Sequence, residues 1–70
     1  MISYDDLKAF HTIVRAGSMR QAAQMLSVSQ SSLSYGVKKI EDQLGSEVLR
    51  RSQKGVTLTP AGERFMGRVG

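Results

Sequence analysis

Three short amphipathic segments follow one another between Ser3 and Gly45, and a serine introduces each of them. Serine caps the start of a helix by accepting a backbone hydrogen bond, and glycine is common just past the end. The pattern therefore predicts helices over about residues 4–15, 19–26 and 30–44, capped by Ser3, Ser18 and Ser29. A chain of 70 residues without cysteine has neither disulfides nor a zinc cluster to support it. These helices must form its core.

Helical spacing predicts which side of each helix is buried. The expected core positions are Leu7, Phe10, His11 and Val14, then Met19, Ala22, Ala23 and Leu26, and finally Leu33, Val37, Ile40 and Leu44. The opposite side of the third helix carries Ser31, Tyr35, Lys38 and Asp42, with Ser34 on its flank. Two helices joined by a short turn at 27–29, the second with a polar outer face, are typical of a helix-turn-helix.

After Gly45 the pattern changes to that of strands. Residues 47–51 and 56–58 predict a two-stranded hairpin, or wing, around a turn at 52–55. Thr59 then caps another helix, with Pro60 at its first position. The predicted fold is mainly α, a winged helix-turn-helix over residues 1–58, with the helix-turn-helix itself at about 18–37. Residues 59–70 are predicted to begin a further helix, truncated at Gly70.

A known family shares many of these residues in the same order and spacing. They are Leu7-x-x-Phe10, Gly17-Ser18, Ala22-Ala23, Leu26, Val28-Ser29-Gln30, Ser34, Glu41, Leu44-Gly45, Arg51, Gly55-Val56, Leu58-Thr59 and Ala61-Gly62. The chain thus resembles the N-terminal DNA-binding domain of LysR-type bacterial transcriptional regulators. It departs from the family pattern at Met19, at Ser31-Ser32-Leu33, at Val48-Leu49 and at Gly36, where a long polar residue is typical.

The resemblance implies a partner and an assembly. The partner is double-stranded DNA, bound in its major groove by residues 30–44 and along its backbone or minor groove by the wing. The complete protein would add a C-terminal effector domain and form a homodimer or tetramer through a linker or dimerisation helix, of which residues 59–70 are the start. Apolar positions for that pairing are few, namely Ala61, Phe65, Met66 and Val69.

Composition supports a polyanionic partner, because 10 Lys and Arg against 6 Asp and Glu give a net charge of +4. No apolar run is long enough to span a bilayer, and the acidic N-terminus is unlike a signal peptide, so we expect no membrane contact and a cytoplasmic location. The single histidine, His11, is expected to be a packing residue. Without a second histidine or a cysteine beside it, the chain is predicted to be no enzyme and to need no cofactor or metal.

Candidate DNA contacts begin at the third helix. Gln30 offers the paired donor and acceptor that match adenine, and Ser31 and Ser34 can reach a base or a phosphate. Tyr35 can pack on a thymine methyl, donate to a phosphate or shield Gly36. Lys38 is the better phosphate candidate of the two adjacent lysines. Ser29 is expected mainly to cap its helix.

Further candidates lie outside the third helix. The resemblance places Arg51 and Lys54 of the wing beside the DNA backbone or in its minor groove, and leaves the role of Arg50 open. Ser18 and Thr59 cap helices, and helix starts with free N–H groups also bind phosphate. Each can fill both roles.

Two other functions compete with DNA binding. One is a winged helix that contacts only proteins, which should show an exposed apolar patch. The other is RNA binding, against which the small number of aromatic residues argues. Gly36 has two explanations as well: either the helix merely tolerates it, or it permits close approach to DNA or to a neighbouring helix.

Overall fold

The computed structural model describes residues 2–69, and the side chains of residues 2–67. The chain forms α1 (Tyr4–Ala16), α2 (Met19–Leu26), α3 (Gln30–Leu44), β1 (Leu49–Ser52), β2 (Gly55–Leu58) and α4 (Pro60–Val69). The order of elements is the predicted one. Within residues 2–69 no helix has the length and hydropathy to cross a bilayer.

The helix caps are where the sequence places them. The Ser3 hydroxyl accepts from the Asp6 N–H at 3.2 Å, and the Asp6 carboxylate accepts from the Ser3 N–H at 3.1 Å, which closes a capping box. Ser18 and Ser29 accept from the N–H groups of Gln21 and Ser32. Gly17 and Gly45 end α1 and α3 in the left-handed conformation, which glycine adopts without steric cost.

The core lies where α1 packs against α2 and α3 and where the wing closes its open side. The fully buried large side chains are Phe10, Ile13, Leu33, Ile40 and Val48. The predicted face of α1 is partly wrong, because Asp6, Ala9, Phe10 and Ile13 are buried while Leu7, His11 and Val14 are only half-buried. Leu44 also departs from its predicted place and is 39% exposed at the end of α3.

A polar contact crosses the interface between α1 and α3. Asp6 is buried and pairs with Lys39 at 3.0 Å, and Gly36 is buried beside it. A Cβ added at Gly36 would lie 3.1 Å from Asp6 Oδ1. The glycine therefore permits close approach of α3 to a neighbouring helix, the second of the two explanations given above.

The wing is an antiparallel hairpin in which Leu49 pairs with Leu58 and Arg51 with Val56. Its first strand begins two residues later than predicted. Glu47 and Val48 precede it because other elements take their backbone groups: the Val48 N–H donates to Glu41 Oε2 at 3.0 Å, and the Glu47 carbonyl accepts from the Thr59 hydroxyl. The hairpin docks on the turn between α1 and α2 through a hydrogen bond from the Val56 N–H to the Gly17 carbonyl.

The fourth helix starts tightly against the base of the wing. Thr59 donates through its N–H to the Val48 carbonyl, and its hydroxyl accepts from the Gly62 N–H. Phe65 packs edge to face on Phe10, with ring centroids 5.3 Å apart, and Met66 is also half-buried on the core. These two of the expected pairing positions are thus also used, in part, within the domain. The Val69 side chain and the predicted truncation at Gly70 lie outside the described residues.

Candidate nucleic-acid interface

The third helix has one buried and one open side. Leu33, Val37 and Ile40 are buried in the core. On the open side, Ser31, Tyr35 and Lys38 are exposed and Ser34 is half-buried, as the helical spacing predicts. Tyr35 is 68% exposed. The result is a row of hydrogen-bonding groups that runs along a single exposed face.

The start of α3 is open to solvent. Gln30 occupies its first position and is exposed. Ser29 caps the helix, and its hydroxyl also lies 3.0 Å from the Ser32 hydroxyl. The predicted capping role of Ser29 is confirmed, and its hydroxyl is largely occupied by that role. Gln30 has both its amide donor and its carbonyl acceptor free for a partner.

The wing turns one of its basic side chains toward α3. Successive side chains of a strand point to opposite faces, so Arg51 shares the inner face with buried Leu49, while Arg50 is on the other face. Arg51 Nη2 donates to Ser34 Oγ at 2.8 Å. The wing and the polar side of α3 therefore form one continuous surface. Arg50, whose role the sequence left open, lies away from that surface.

A shallow groove of about 260 Å³ runs between α2, the start of α3 and the wing. Its walls are Ser18, Met19, Arg20, Gln30, Arg51, Ser52, Gly55 and Val56. The predicted residues Ser18, Gln30 and Arg51 are thus brought together, although they are far apart in sequence. Lys54 is exposed at the two-residue turn of the hairpin, beyond this groove.

Arg20 is a member of this groove that the sequence prediction missed. It occupies the first turn of α2 and is exposed. A cation is unfavourable there, because the positive end of the helix dipole lies at the N-terminus. That local conflict is the signal which would have singled it out.

Thr59 differs from the other predicted contacts. It is only 7% exposed. Its hydroxyl donates to the Glu47 carbonyl and accepts from the Gly62 N–H, so its hydrogen-bonding capacity is used inside the domain. The predicted capping role of Thr59 is thus confirmed, and the phosphate contact expected at this helix start stays a prediction.

Little of the positive charge at this surface is neutralised within the domain. Lys39–Asp6 is the only ion pair among the side chains that the structure describes. Burial would raise the pKa of the Asp6 carboxyl, but the Ser3 N–H and the Lys39 ammonium outweigh it and hold the pKa below its usual 3.8. Lys39 is thereby committed to α1, whereas Lys38 remains available on the open face. His11, half-buried and edge to face with Phe10, packs as predicted.

Comparison with known proteins identifies the same family that the sequence resembles. The bacterial regulatory helix-turn-helix family of LysR type matches residues 4–63. The transcriptional regulator YofA of Bacillus velezensis is 39% identical over 61 residues, which are 87% of this chain and 21% of that protein. The regulator TdcA of Escherichia coli K12 is 40% identical over 62 residues, or 89% of this chain and 20% of that protein. The chain thus spans about a fifth of these relatives.

A solved structure extends the match to three dimensions. The CbnR_DBD–DNA complex superimposes with a TM-score of 0.87 and 36% sequence identity, over 94% of this chain and 76% of that one. The winged helix-turn-helix fold predicted from the sequence is confirmed. The chain belongs to the LysR family of bacterial regulatory helix-turn-helix proteins.

Proposed function

We propose that this chain binds double-stranded DNA in a sequence-specific manner, as the operator-recognition domain of a LysR-type transcriptional regulator. The observation that carries the proposal is the hydrogen bond from Arg51 to Ser34, which joins the wing to the polar face of α3. A helix and a basic hairpin on one surface can engage a major groove and the adjoining backbone together. The solved relative CbnR_DBD, of which this chain covers 76%, is itself in complex with DNA.

In this proposal the start of α3 faces the bases. Gln30 contacts adenine, and Ser31 contacts a base or a phosphate. Tyr35 packs on a thymine methyl or donates to a phosphate, and Lys38 binds phosphate. Ser18 and Arg20, at the start of α2, lie where the backbone of the DNA would pass. Arg51 and Lys54 contact the backbone or the minor groove.

The remainder of the protein is proposed from the family alone. A C-terminal effector domain would follow α4, and α4 would continue into a linker through which copies of the protein form a dimer or tetramer. Such a regulator acts in the cytoplasm, where the bacterial chromosome lies, and it carries out no catalysis.

Selection of bound sequences from random DNA duplexes tests the proposal directly. We expect enrichment of a defined site of a few base pairs by the 70-residue chain. Binding of the enriched duplex should resist competition by heparin and by single-stranded RNA. Recovery of no preferred duplex would overturn the proposal, and tighter binding of the RNA would favour the RNA-binding alternative.

The wing is tested by the salt dependence of binding. Each lost phosphate contact should reduce the slope of log affinity against log salt by about 0.9. Arg51→Ala and Lys54→Ala should each show such a reduction. Arg64→Ala removes the same charge from an exposed position on α4, beside Leu44 and Ser46, and should leave the slope close to that of the wild type.

Base recognition is tested at Gln30. Gln30→Ala should lose about 1–3 kcal/mol on the selected duplex and relax the preference at one base pair. Gln43→Ala is the matched control, since Gln43 is exposed near the other end of α3 and off its polar face. Equal losses by Gln30→Ala on selected and random DNA would show that Gln30 only positions the domain.

A further inference from the structure

The contact between Arg51 and Ser34 does more than join two elements. Arg51 is exposed, and the residues that contact each other are 17 positions apart in the chain. A long exposed side chain held in this way has a defined place before any partner arrives. Its position is set from the wing side by the strand face that it shares with Leu49.

The type of residue that holds Arg51 is informative. Two carboxylates, Glu41 and Glu47, line the same groove as Ser34 and Arg51. Glu41 is engaged by the Val48 N–H, and no ion pair with Arg51 forms among the described side chains. A carboxylate partner would neutralise the guanidinium and compete with DNA. A hydroxyl fixes its position and leaves its charge intact.

The hydrogen-bond inventory defines what the pair can bind. A guanidinium has five N–H donors, of which Ser34 takes one, so most remain free. The Ser34 oxygen accepts this bond and keeps its own O–H as a donor. Together the two side chains offer donors close to each other, at the junction of α3 and the wing. They suit groups that only accept, which are phosphate oxygens and the N7 and O6 edge of guanine.

We propose that Ser34 is a positioning residue for Arg51, which holds the guanidinium at the α3–wing junction so that the two side chains act on DNA as one unit. The proposal rests on the DNA-binding function proposed above. Immobilising a free arginine on binding costs conformational entropy, and a side chain that is already held loses less. Ser34 therefore contributes to affinity through Arg51 in addition to any contact of its own.

A double-mutant cycle on the selected duplex tests this coupling. Ser34→Ala should weaken binding clearly in the wild-type background and much less in an Arg51→Ala background. Side chains in direct contact commonly differ from additivity by about fivefold in affinity. Ser31→Ala is the matched control, because Ser31 is an exposed serine on the same face of α3, and its effect should be additive with that of Arg51→Ala.

Two further measurements separate positioning from a purely structural role. Ser34→Thr keeps the hydroxyl and should largely restore affinity, while Ser34→Ala should leave the salt slope unchanged because the charge of Arg51 remains. In the free domain, the NMR order parameter of Arg51 Nε should fall in Ser34→Ala while the thermal unfolding curve is preserved.

The outcomes are distinct. Equal losses from Ser34→Ala in both backgrounds, or an unchanged order parameter at Arg51, would overturn this inference and leave the DNA-binding function standing. If the wild-type chain selects no duplex, the proposed function fails and this inference fails with it.

Discussion

Replacement of Gly36 by alanine measures how closely α1 and α3 approach. The added Cβ would lie 3.1 Å from Asp6 Oδ1 and 3.9 Å from Asp6 Cγ, so the carboxylate must give way by a few tenths of an ångström. Asp6 is not free to do so at no cost. Its other oxygen, Oδ2, accepts from the Ser3 N–H at 3.1 Å and from Lys39 Nζ at 3.0 Å.

The two opposing effects can be estimated. Alanine stabilises a helix interior by about 1 kcal/mol relative to glycine. Hydrogen bonds to a charged group contribute about 1.5–3 kcal/mol, and a slight displacement of Asp6 forfeits part of that. We therefore expect Gly36→Ala to change the free energy of unfolding by no more than about 0.5 kcal/mol. In an Asp6→Ala background the obstacle is gone, and the same substitution should stabilise by about 1 kcal/mol.

Urea denaturation followed by circular dichroism supplies the four free energies of this cycle. For a domain of this size the slope with denaturant is about 1 kcal/mol per molar, so the expected differences correspond to midpoint shifts that are easily measured. An equal stabilisation of about 1 kcal/mol in both backgrounds would refute the reasoning, because Asp6 would then offer no resistance to the methyl group.

Gly62→Ala should destabilise the domain by about 1–3 kcal/mol, because the added Cβ would overlap the Val48 carbonyl. The Cβ added by Gly67→Ala meets nothing within 4 Å, so this variant should stabilise the domain by up to about 1 kcal/mol. Thermal unfolding of both variants distinguishes these outcomes. Because the pKa of Asp6 is lowered in the folded state, the ionised Asp6 carboxylate should contribute fully to stability at neutral pH, and this contribution should be lost as the pH falls below about 4. The Asp6→Asn variant should lose less stability over the same pH range. Urea denaturation curves at a series of pH values that show no difference between the wild type and Asp6→Asn would contradict this prediction. The free chain should be a monomer, or in weak equilibrium with a dimer, at micromolar concentration, since Phe65 and Met66 pack partly on their own core; a tight dimer in sedimentation equilibrium would argue otherwise.

Local features of the fold follow directly from the sequence. Serine caps, glycine ends and the exposed face of α3 depend only on residues within a few positions of each other, and the structure has them where they were predicted. The error in the buried face of α1 has an origin in tertiary structure. Hydrophobic periodicity assigns an aspartate to the surface and leaves the role of a helical glycine open, yet Asp6 and Gly36 meet across the α1–α3 interface. Lys39, which makes the burial of Asp6 possible, is 33 positions away from it and outside the reach of any local pattern.

In the candidate nucleic-acid interface, too, some features follow from the local sequence and others only from the tertiary structure. The residue types at Gln30, Ser31 and Lys38 and their spacing indicate a polar face without knowledge of the tertiary structure. The link between Arg51 and Ser34 depends on which face of the hairpin points inward, and this is settled only when β1 is docked. A threonine before a proline is typical of an exposed helix cap, and the burial of the Thr59 hydroxyl depends on the docking of the wing.

The bonds that Thr59 makes have a consequence for how the domain opens. Its N–H and hydroxyl join the start of α4 to Val48 and Glu47, and the Val48 N–H is tied in turn to Glu41 of α3. Each of these bonds joins two different elements, so we expect that none of them opens without the others. In hydrogen exchange, the amides of Val48, Thr59 and Gly62 should therefore behave as a single cooperative unit with the end of α3, while the hairpin tip at Gln53 and Lys54 opens independently.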